Sequence, residues 1–251
     1  EDDEPTYGFT VLTGDIRDGL ADEAARFLRR DHERPFLLWA SFESPHDICG
    51  FLTRDGALRE EMLRFDTPLP DNHGPTVDEC EWMRGFRDGT LGEESRIELG
   101  LNRTYGRVAS AWSEETWRRY RGAYRHFMET ADRQIGTVLD ALHDTGLAER
   151  TVVIFTSDHG DHDGAHRLTM KRSFYEESVR VPLIVSRPGR VAPGVVDATH
   201  LVSAGPDLIP TMCDYAGVEA PTSLPGRSVR GIAEGRDDAS WREFVVSETV
   251  G

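Results

Sequence analysis

The stretch TVVIFTSDHGDHDGAHRLTMKRSFYEESVRVPLIVSRPG, residues 151–189, decides how the rest of the chain is read. It opens on an apolar, β-branched run, Thr151 to Phe155, with the length and composition of a buried strand. That run passes without a break into Asp158-His159-Gly160. Between Asp158 and Lys171 stand three Asp, three His and the only lysine of the chain, and a second apolar run, Val181 to Ser186, follows. A carboxylate and an imidazole side by side at a strand end can ligate a divalent cation. Asp favours hard ions such as calcium, magnesium or manganese, and His extends the range to zinc. An Asp-Gly-type turn with a solvated His accounts for the same residues without a metal. The lysine is more pointed. Every other strong base is an arginine, so a retained ammonium suggests a place where a compact charge is needed and a planar guanidinium does not fit.

Working outward, Asp15 to Arg30 carries Ile16, Leu20, Ala24, Phe27 and Leu28 at helical spacing. Pro35 to Phe42 is a short apolar run that leads through Glu43-Ser-Pro to His46, and reads as a buried strand delivering that histidine. Residues 50–110 are rich in Gly, Pro and charge without a clean period, and read as a long excursion with short helices. Glu114 to Leu147 repeats apolar residues at three- and four-residue steps, from Tyr120, Tyr124, Phe127 and Met128 to Leu142, with Gly146 placed to end a helix. Asp207 to Ala216 predicts another helix stopped by Gly217, and Phe244 to Ser247 one more strand. Strands alternating with helices predict an α/β fold: a doubly wound, mostly parallel sheet flanked by helices. Such sheets bind ligands beyond the C-terminal ends of their strands, the edge to which His46 and Asp158 both belong.

The 251 residues suffice for one large domain or two small ones. A net charge of −16 argues against a nucleic-acid partner, although a local site can still oppose it and hold an anion. No apolar run approaches the roughly 20 residues that span a bilayer. Cys49, Cys80 and Cys213 form no CxxC pair, so a cysteine zinc site is not expected. His159, His162 and His166 miss the HExxH spacing, and Gly160 and Gly164 oppose a helix through them. Asp161-His162-Asp163-Gly164 is only part of an EF-hand loop, with no closing Glu. Asp161, His162 and Asp163 therefore read as a solvated loop, and Glu176 with Arg180 as an i, i+4 pair bracing the turn. Trp82, Trp112 and Trp117 read equally as pocket lining or as packing.

Residues 151–189 resemble the second signature region of the type I sulfatases, in the alkaline phosphatase superfamily. That region runs from a hydrophobic strand to S-D-H-G, a glycine-rich loop, a Lys, then Y-E-x-x-x-R-V-P-L-I and P-G. Three flanking pieces agree in order: RPFLLWASFESPH at 34–46, YRHFMETADRQIGTVLDALHDTGLAERTVVIFTSD at 124–158, and LVSAGPDLIPTMCDYAGVEAPTSLPGRSV at 201–229. The resemblance covers most of residues 15–230 and implies a sulfatase-like domain over 1–230, incomplete at its N-terminus, with 231–251 beginning a further C-terminal portion.

Carried over residue by residue, the resemblance implies that Asp158 and His159 are metal ligands, with calcium as the metal and magnesium or manganese as alternatives. His46 and Lys171 would contact the sulfate, and His166 would lie at the edge of the site. The activity implied is hydrolysis of a small-molecule or saccharide sulfate ester, or of a sulfamate. Phosphonate and phosphodiester hydrolases of the superfamily share these residues and remain the alternative, with a non-catalytic relative as a third. The family's nucleophile is a formylglycine made from the Cys or Ser of C/S-x-P-S-R, and no cysteine here precedes x-P-x-R. Ser186-Arg-Pro-Gly-Arg190 matches S-x-P-x-R but lies at the family's later P-G position and cannot open a helix. The formylglycine is accordingly expected in an N-terminal region that these residues lack. Many bacterial members are exported, but Glu1-Asp-Asp-Glu4 is not a signal peptide.

Overall fold

The computed structural model describes residues 8–53, 67–74, 78–90, 106–171, 173–236, 238 and 240–248. The excursion expected over 50–110 thus lies partly outside the described residues. The chain divides into two compact units. The first comprises Glu1–Leu147 with His162–Met170, and the second Ala148–Asp161 with Lys171–Val250.

In the first unit, α1 (Leu20–Leu28) buries Ala21, Ala24, Ala25 and Leu28 on one face; of the residues picked out by spacing, Ala24 and Leu28 are buried, Leu20 and Phe27 half-buried, and Ile16 lies exposed ahead of the helix. A 3-10 turn, His46–Ile48, runs into α2 (Cys49–Thr53), and α3 (Glu81–Asp88) ends on Gly89 in the left-handed region. The organising element is α4 (Glu114–Asp144), along which α1 packs. Ser113 caps α4 by accepting from the Thr116 N–H at 3.2 Å, and Glu114 and Glu115 place negative charge at its N-terminus. Trp117, Tyr120 and Ala123 of α4 form one core cluster with Ile48, Phe51 and Ala109. Trp112 meets Trp117 edge-on at 4.8 Å, and Phe51 meets Tyr120 likewise at 5.3 Å. Trp112 and Trp117 are therefore packing residues, while Trp82 is exposed. Met128, on the apolar period of the helix, is exposed as well, because α4 is covered along only part of its girth.

Pro35 to Phe42 does not form the expected buried strand. Its side chains alternate between half-buried and exposed, with Leu37 and Trp39 outward, and no ladder partner meets it among the described residues. An extended run becomes a strand only when a neighbour takes its backbone hydrogen bonds.

The second unit holds β1 (Val153–Thr156) and β2 (Leu183–Ser186), in register from Val153 opposite Ser186 to Thr156 opposite Leu183. This pair is antiparallel. A parallel pairing needs a crossover helix of a dozen or more residues in the connection. Here the connection contributes to this unit only short loops and one helical turn, α5 (Glu176–Val179). Downstream lie α6 (Ala204–Ala216), ended by Gly217 at φ 72°, and α7 (Arg230–Ala233). Residues 244–247 form no strand.

The anchor of this half is Asp207, which is fully buried on the first turn of α6. Its carboxylate accepts from the N–H groups of Ser203 and Arg227, each at 2.8 Å, and from both terminal nitrogens of Arg242 at 2.8 and 2.7 Å. Three separate stretches of chain are thereby tied to one charge whose lone pairs are satisfied, the condition under which a buried carboxylate is tolerated.

Candidate functional site

Asp158 and His159 follow β1 directly. Ser157 Oγ donates to the His159 carbonyl at 2.9 Å, and the His159 N–H donates to Oδ1 of Asp158 at 3.0 Å. The His159 ring is oriented by its own neighbour: Nδ1 lies 2.9 Å from the Gly160 carbonyl oxygen. A carbonyl only accepts, so Nδ1 carries the proton and the lone pair of neutral histidine sits on Nε2. Nε2 in turn lies 3.4 Å from Oδ2 of Asp158. Two acceptor atoms at this separation repel unless a proton or a cation lies between them. The Asp158 side chain is 83% exposed, which leaves it accessible to an ion.

This pair fits part of a divalent-metal site, one hard oxygen and one imidazole nitrogen whose other nitrogen is held by a backbone carbonyl. It does not complete one. Among the described residues no group of three or more His, Cys, Asp or Glu side chains is arranged to hold a metal.

Gly160 fixes the turn, and it does so by close approach. Its N–H donates to the Ser178 carbonyl at 2.8 Å. A Cβ there would lie 2.0 Å from the Glu177 carbonyl oxygen and 3.2 Å from that of Arg180. The Glu176–Arg180 pair expected to brace this turn is a 3.6 Å contact between two exposed side chains, which contributes little. The backbone contacts of Gly160 do the bracing instead. Lys171 belongs to the same unit and is half-buried.

The other sequence-predicted residues belong to the first unit. His46 opens the 3-10 turn and is exposed. Its turn is held by Arg17, which pairs with Asp47 at 2.8 Å and Glu43 at 3.2 Å, and by Ser44 Oγ donating to Asp47 at 2.9 Å. His166 lies half-buried in a loop whose backbone is left-handed at five positions: Asp163 (φ 44°), Gly164 (88°), His166 (55°), Arg167 (56°) and Met170 (66°). Non-glycine residues seldom adopt this region unless their surroundings enforce it. Here Asn72 and His73 do so. The His166 N–H donates to the Asn72 carbonyl at 2.8 Å, Asn72 Nδ2 lies 3.4 Å from His166 Nε2, and His73 Nδ1 donates to the Gly164 carbonyl at 2.7 Å. Burial holds the His73 imidazole below its usual range, with the Arg167 and Arg121 charges acting in the same direction.

The solvated loop expected at Asp161 to Asp163 is not what forms. His162 is buried, and Asp163 pairs with Arg121 of α4 at 2.9 Å. Burial pushes the Asp163 carboxyl up, while Arg121 opposes that shift. Sequence reading missed Asn72, His73 and Arg121, because they lie far along the chain from the loop they hold. Ser186-Arg-Pro-Gly-Arg190, which matches S-x-P-x-R, begins on the last residue of β2. It leaves β2 into a turn, with Gly189 at φ 74° and the N–H groups of Arg190 and Val191 donating to the Arg187 carbonyl.

The sulfatase family profile matches residues 2–218. The chain is 31% identical over 234 residues to the Delta 4,5-hexuronate-2-O-sulfatase of Bacteroides thetaiotaomicron, covering 92% of this chain and 46% of that protein. A solved 2-O GAG sulfatase superposes with a TM-score of 0.76 at 26% identity, covering 95% of this chain and 53% of that one. The phosphonate monoester hydrolase of Agrobacterium radiobacter superposes with a TM-score of 0.68 at 29% identity, covering 88% of this chain and 42% of that one. The fold class is therefore the α/β class of these enzymes, and the chain spans about half the length of the relatives it matches.

Proposed function

The chain belongs to the sulfatase family, and from that membership we propose that the intact protein is a metal-dependent hydrolase of sulfate esters or sulfamates. The observation that carries this reading is the Asp158–His159 pair at the end of β1, two acceptor atoms 3.4 Å apart in a turn that Gly160 holds rigid. Asp158 and His159 would hold the cation, and calcium suits the carboxylate best, with magnesium or manganese as alternatives. Such a cation supplies electrostatic stabilisation of the sulfate oxygens. Lys171 would hold a sulfate oxygen through a single-point ammonium, countering the charge that develops as the S–O bond breaks. The motif resemblance alone assigns sulfate contacts to His46 and a place at the edge of the site to His166. It also implies a formylglycine nucleophile on a segment outside these residues.

The substrate class proposed is a sulfated saccharide, in keeping with the uronate-directed relative. No helix of the described residues is long and apolar enough to cross a membrane. The second reading, a phosphonate or phosphodiester hydrolase, is favoured by the likeness to the Agrobacterium enzyme. Assaying the full-length protein on 4-nitrophenyl sulfate and on an aryl phosphonate monoester separates the two. Sulfate turnover at least about tenfold higher in kcat/KM is expected, and a preference for the phosphonate would replace the first reading by the second.

A further inference from the structure

His166 is gripped by a segment 94 positions upstream, and the contacts lie within the first unit. Its N–H donates to the Asn72 carbonyl at 2.8 Å. One residue on, His73 Nδ1 donates to the Gly164 carbonyl at 2.7 Å. The His73 ring is itself seated on the core: it meets Trp117 of α4 edge-on at 5.1 Å, and Trp117 is buried. Gly164 belongs to the same packing, where a Cβ would stand 3.5 Å from Arg121 and 3.6 Å from Trp117. Asp163, one residue earlier, pairs with Arg121 of that helix at 2.9 Å. The left-handed backbone of His166, at φ 55°, is thus enforced from outside its own loop. Strain persists only where the surroundings over-determine it, and it concentrates at functional positions.

Asn72 does more than hold the backbone. Its Nδ2 lies 3.4 Å from His166 Nε2. An amide nitrogen only donates, so Nε2 is the acceptor and the proton of the neutral ring lies on Nδ1. The contact is long, but the 2.8 Å backbone bond between the same two residues fixes its separation. His159 and His166 therefore carry the proton on the same nitrogen with opposite consequences. In His159 the backbone takes the N–H and the lone pair faces Asp158, which suits a cation. In His166 the amide takes the lone pair and the ring is a donor at Nδ1, which suits an anion.

We propose that Asn72 and His73 are positioning residues for His166: His73 sets the loop and Asn72 sets the tautomer, so that the imidazole meets an oxyanion of the substrate as a neutral N–H donor. The role towards substrate rests on the sulfatase reading, which puts His166 at the edge of the site, while the tautomer can be tested without turnover. The first experiment is nitrogen-15 ring spectroscopy of the full-length protein at about pH 8, where an ordinary histidine is neutral, with His166 assigned through His166→Gln. Wild type is expected to carry the proton on Nδ1. Asn72→Asp keeps the shape but puts a carboxylate, which only accepts, opposite Nε2, and should move the proton there. Asn72 is exposed, so this variant should keep the melting temperature of wild type. A wild-type proton on Nε2, or one that stays on Nδ1 in Asn72→Asp, overturns the inference.

The second experiment is kcat/KM on 4-nitrophenyl sulfate. Asn72→Asp should fall roughly tenfold. His73→Leu, which removes the donor to Gly164, should fall by a similar factor, and His73→Asn, whose amide nitrogen replaces Nδ1 as donor, should recover most of the loss. Equal losses in the two His73 variants would overturn the part given to His73. A displaced ring proton in Asn72→Asp with unchanged kcat/KM would overturn the role towards substrate. Absence of aryl sulfate turnover in wild type would instead count against the sulfatase reading and leave the ring spectra to decide the tautomer.

Discussion

The imidazole of His159 is turned so that Nδ1 faces the Gly160 carbonyl at 2.9 Å and Nε2 faces Oδ2 of Asp158 at 3.4 Å. Both atoms at the second contact are acceptors when the ring is neutral, and on that ground a cation between them is proposed. Asp158→Asn is expected to lower bound calcium sharply, read by elemental analysis of the full-length protein after dialysis. The exposed side chain makes the cost to stability small, within about 0.5 kcal/mol. Full metal occupancy in the variant would remove Asp158 from the ligand set.

Gly160→Ala should be one of the most damaging single-methyl changes in the protein. The added carbon would meet the Glu177 carbonyl at 2.0 Å, and a carbonyl in a hydrogen-bonded turn cannot swing aside. A loss of about 2 kcal/mol or more is expected by urea denaturation, together with weakened calcium binding. Gly136→Ala serves as the control. It lies inside α4, and nothing stands within 4 Å of the new carbon, so it should stabilise by about 0.5–1 kcal/mol. Equal effects at the two positions would contradict the close-approach account.

Lys171→Ala and His46→Ala in the full-length enzyme are expected to lower kcat by about 10²-fold or more with little change in melting temperature. Lys171→Arg should not restore activity, because a planar fork cannot replace a compact ammonium at a single oxygen. Unchanged turnover in either alanine variant would withdraw that residue from the reaction.

Asp207→Asn removes the charge that Arg242 pairs with while leaving the shape nearly the same. Breaking one side of a buried ion pair costs about 3–5 kcal/mol, because the remaining charge is stranded. Chemical denaturation should show that loss, and Asp207→Asn combined with Arg242→Met should recover part of it. A single variant of wild-type stability would mean that the four contacts to Asp207 do not anchor this segment.

Asp197 gives a pH signature. The N–H groups of His200 and Thr199, together with the His200 ring at 2.6 Å, hold its carboxyl well below the usual carboxylate range. A depressed folded-state value means that the stabilisation is present above the ordinary carboxylate pKa of about 3.9. It is lost as pH falls from there towards the folded-state value. Asp197→Asn should therefore flatten the fall in melting temperature below about pH 4 relative to wild type. An identical acid profile in the two proteins would show that this turn carries no linked protons.

Much of this protein is set by short-range pattern. The apolar period of α4, the β-branched run of β1 and the Gly217 stop of α6 follow from backbone and side-chain preferences over a few residues. The Asp158–His159 pair is legible for the same reason, since its members are adjacent and the strand end aims both. Antiparallel pairing of β1 with β2, the burial of His162 and the open face of Leu37 and Trp39 were not legible, because each depends on which partner arrives. The contacts that hold the loop link residues 91 and 94 positions apart, His73 to Gly164 and Asn72 to His166, and Arg242 reaches Asp207 across 35. The chemical groups and their local order are therefore fixed along the chain. Which distant backbone crowds Gly160, and which acids answer which arginines, follows from packing between segments far apart in the chain. Long-range contacts are selected by packing and loop closure, and those costs leave no periodic mark on the chain.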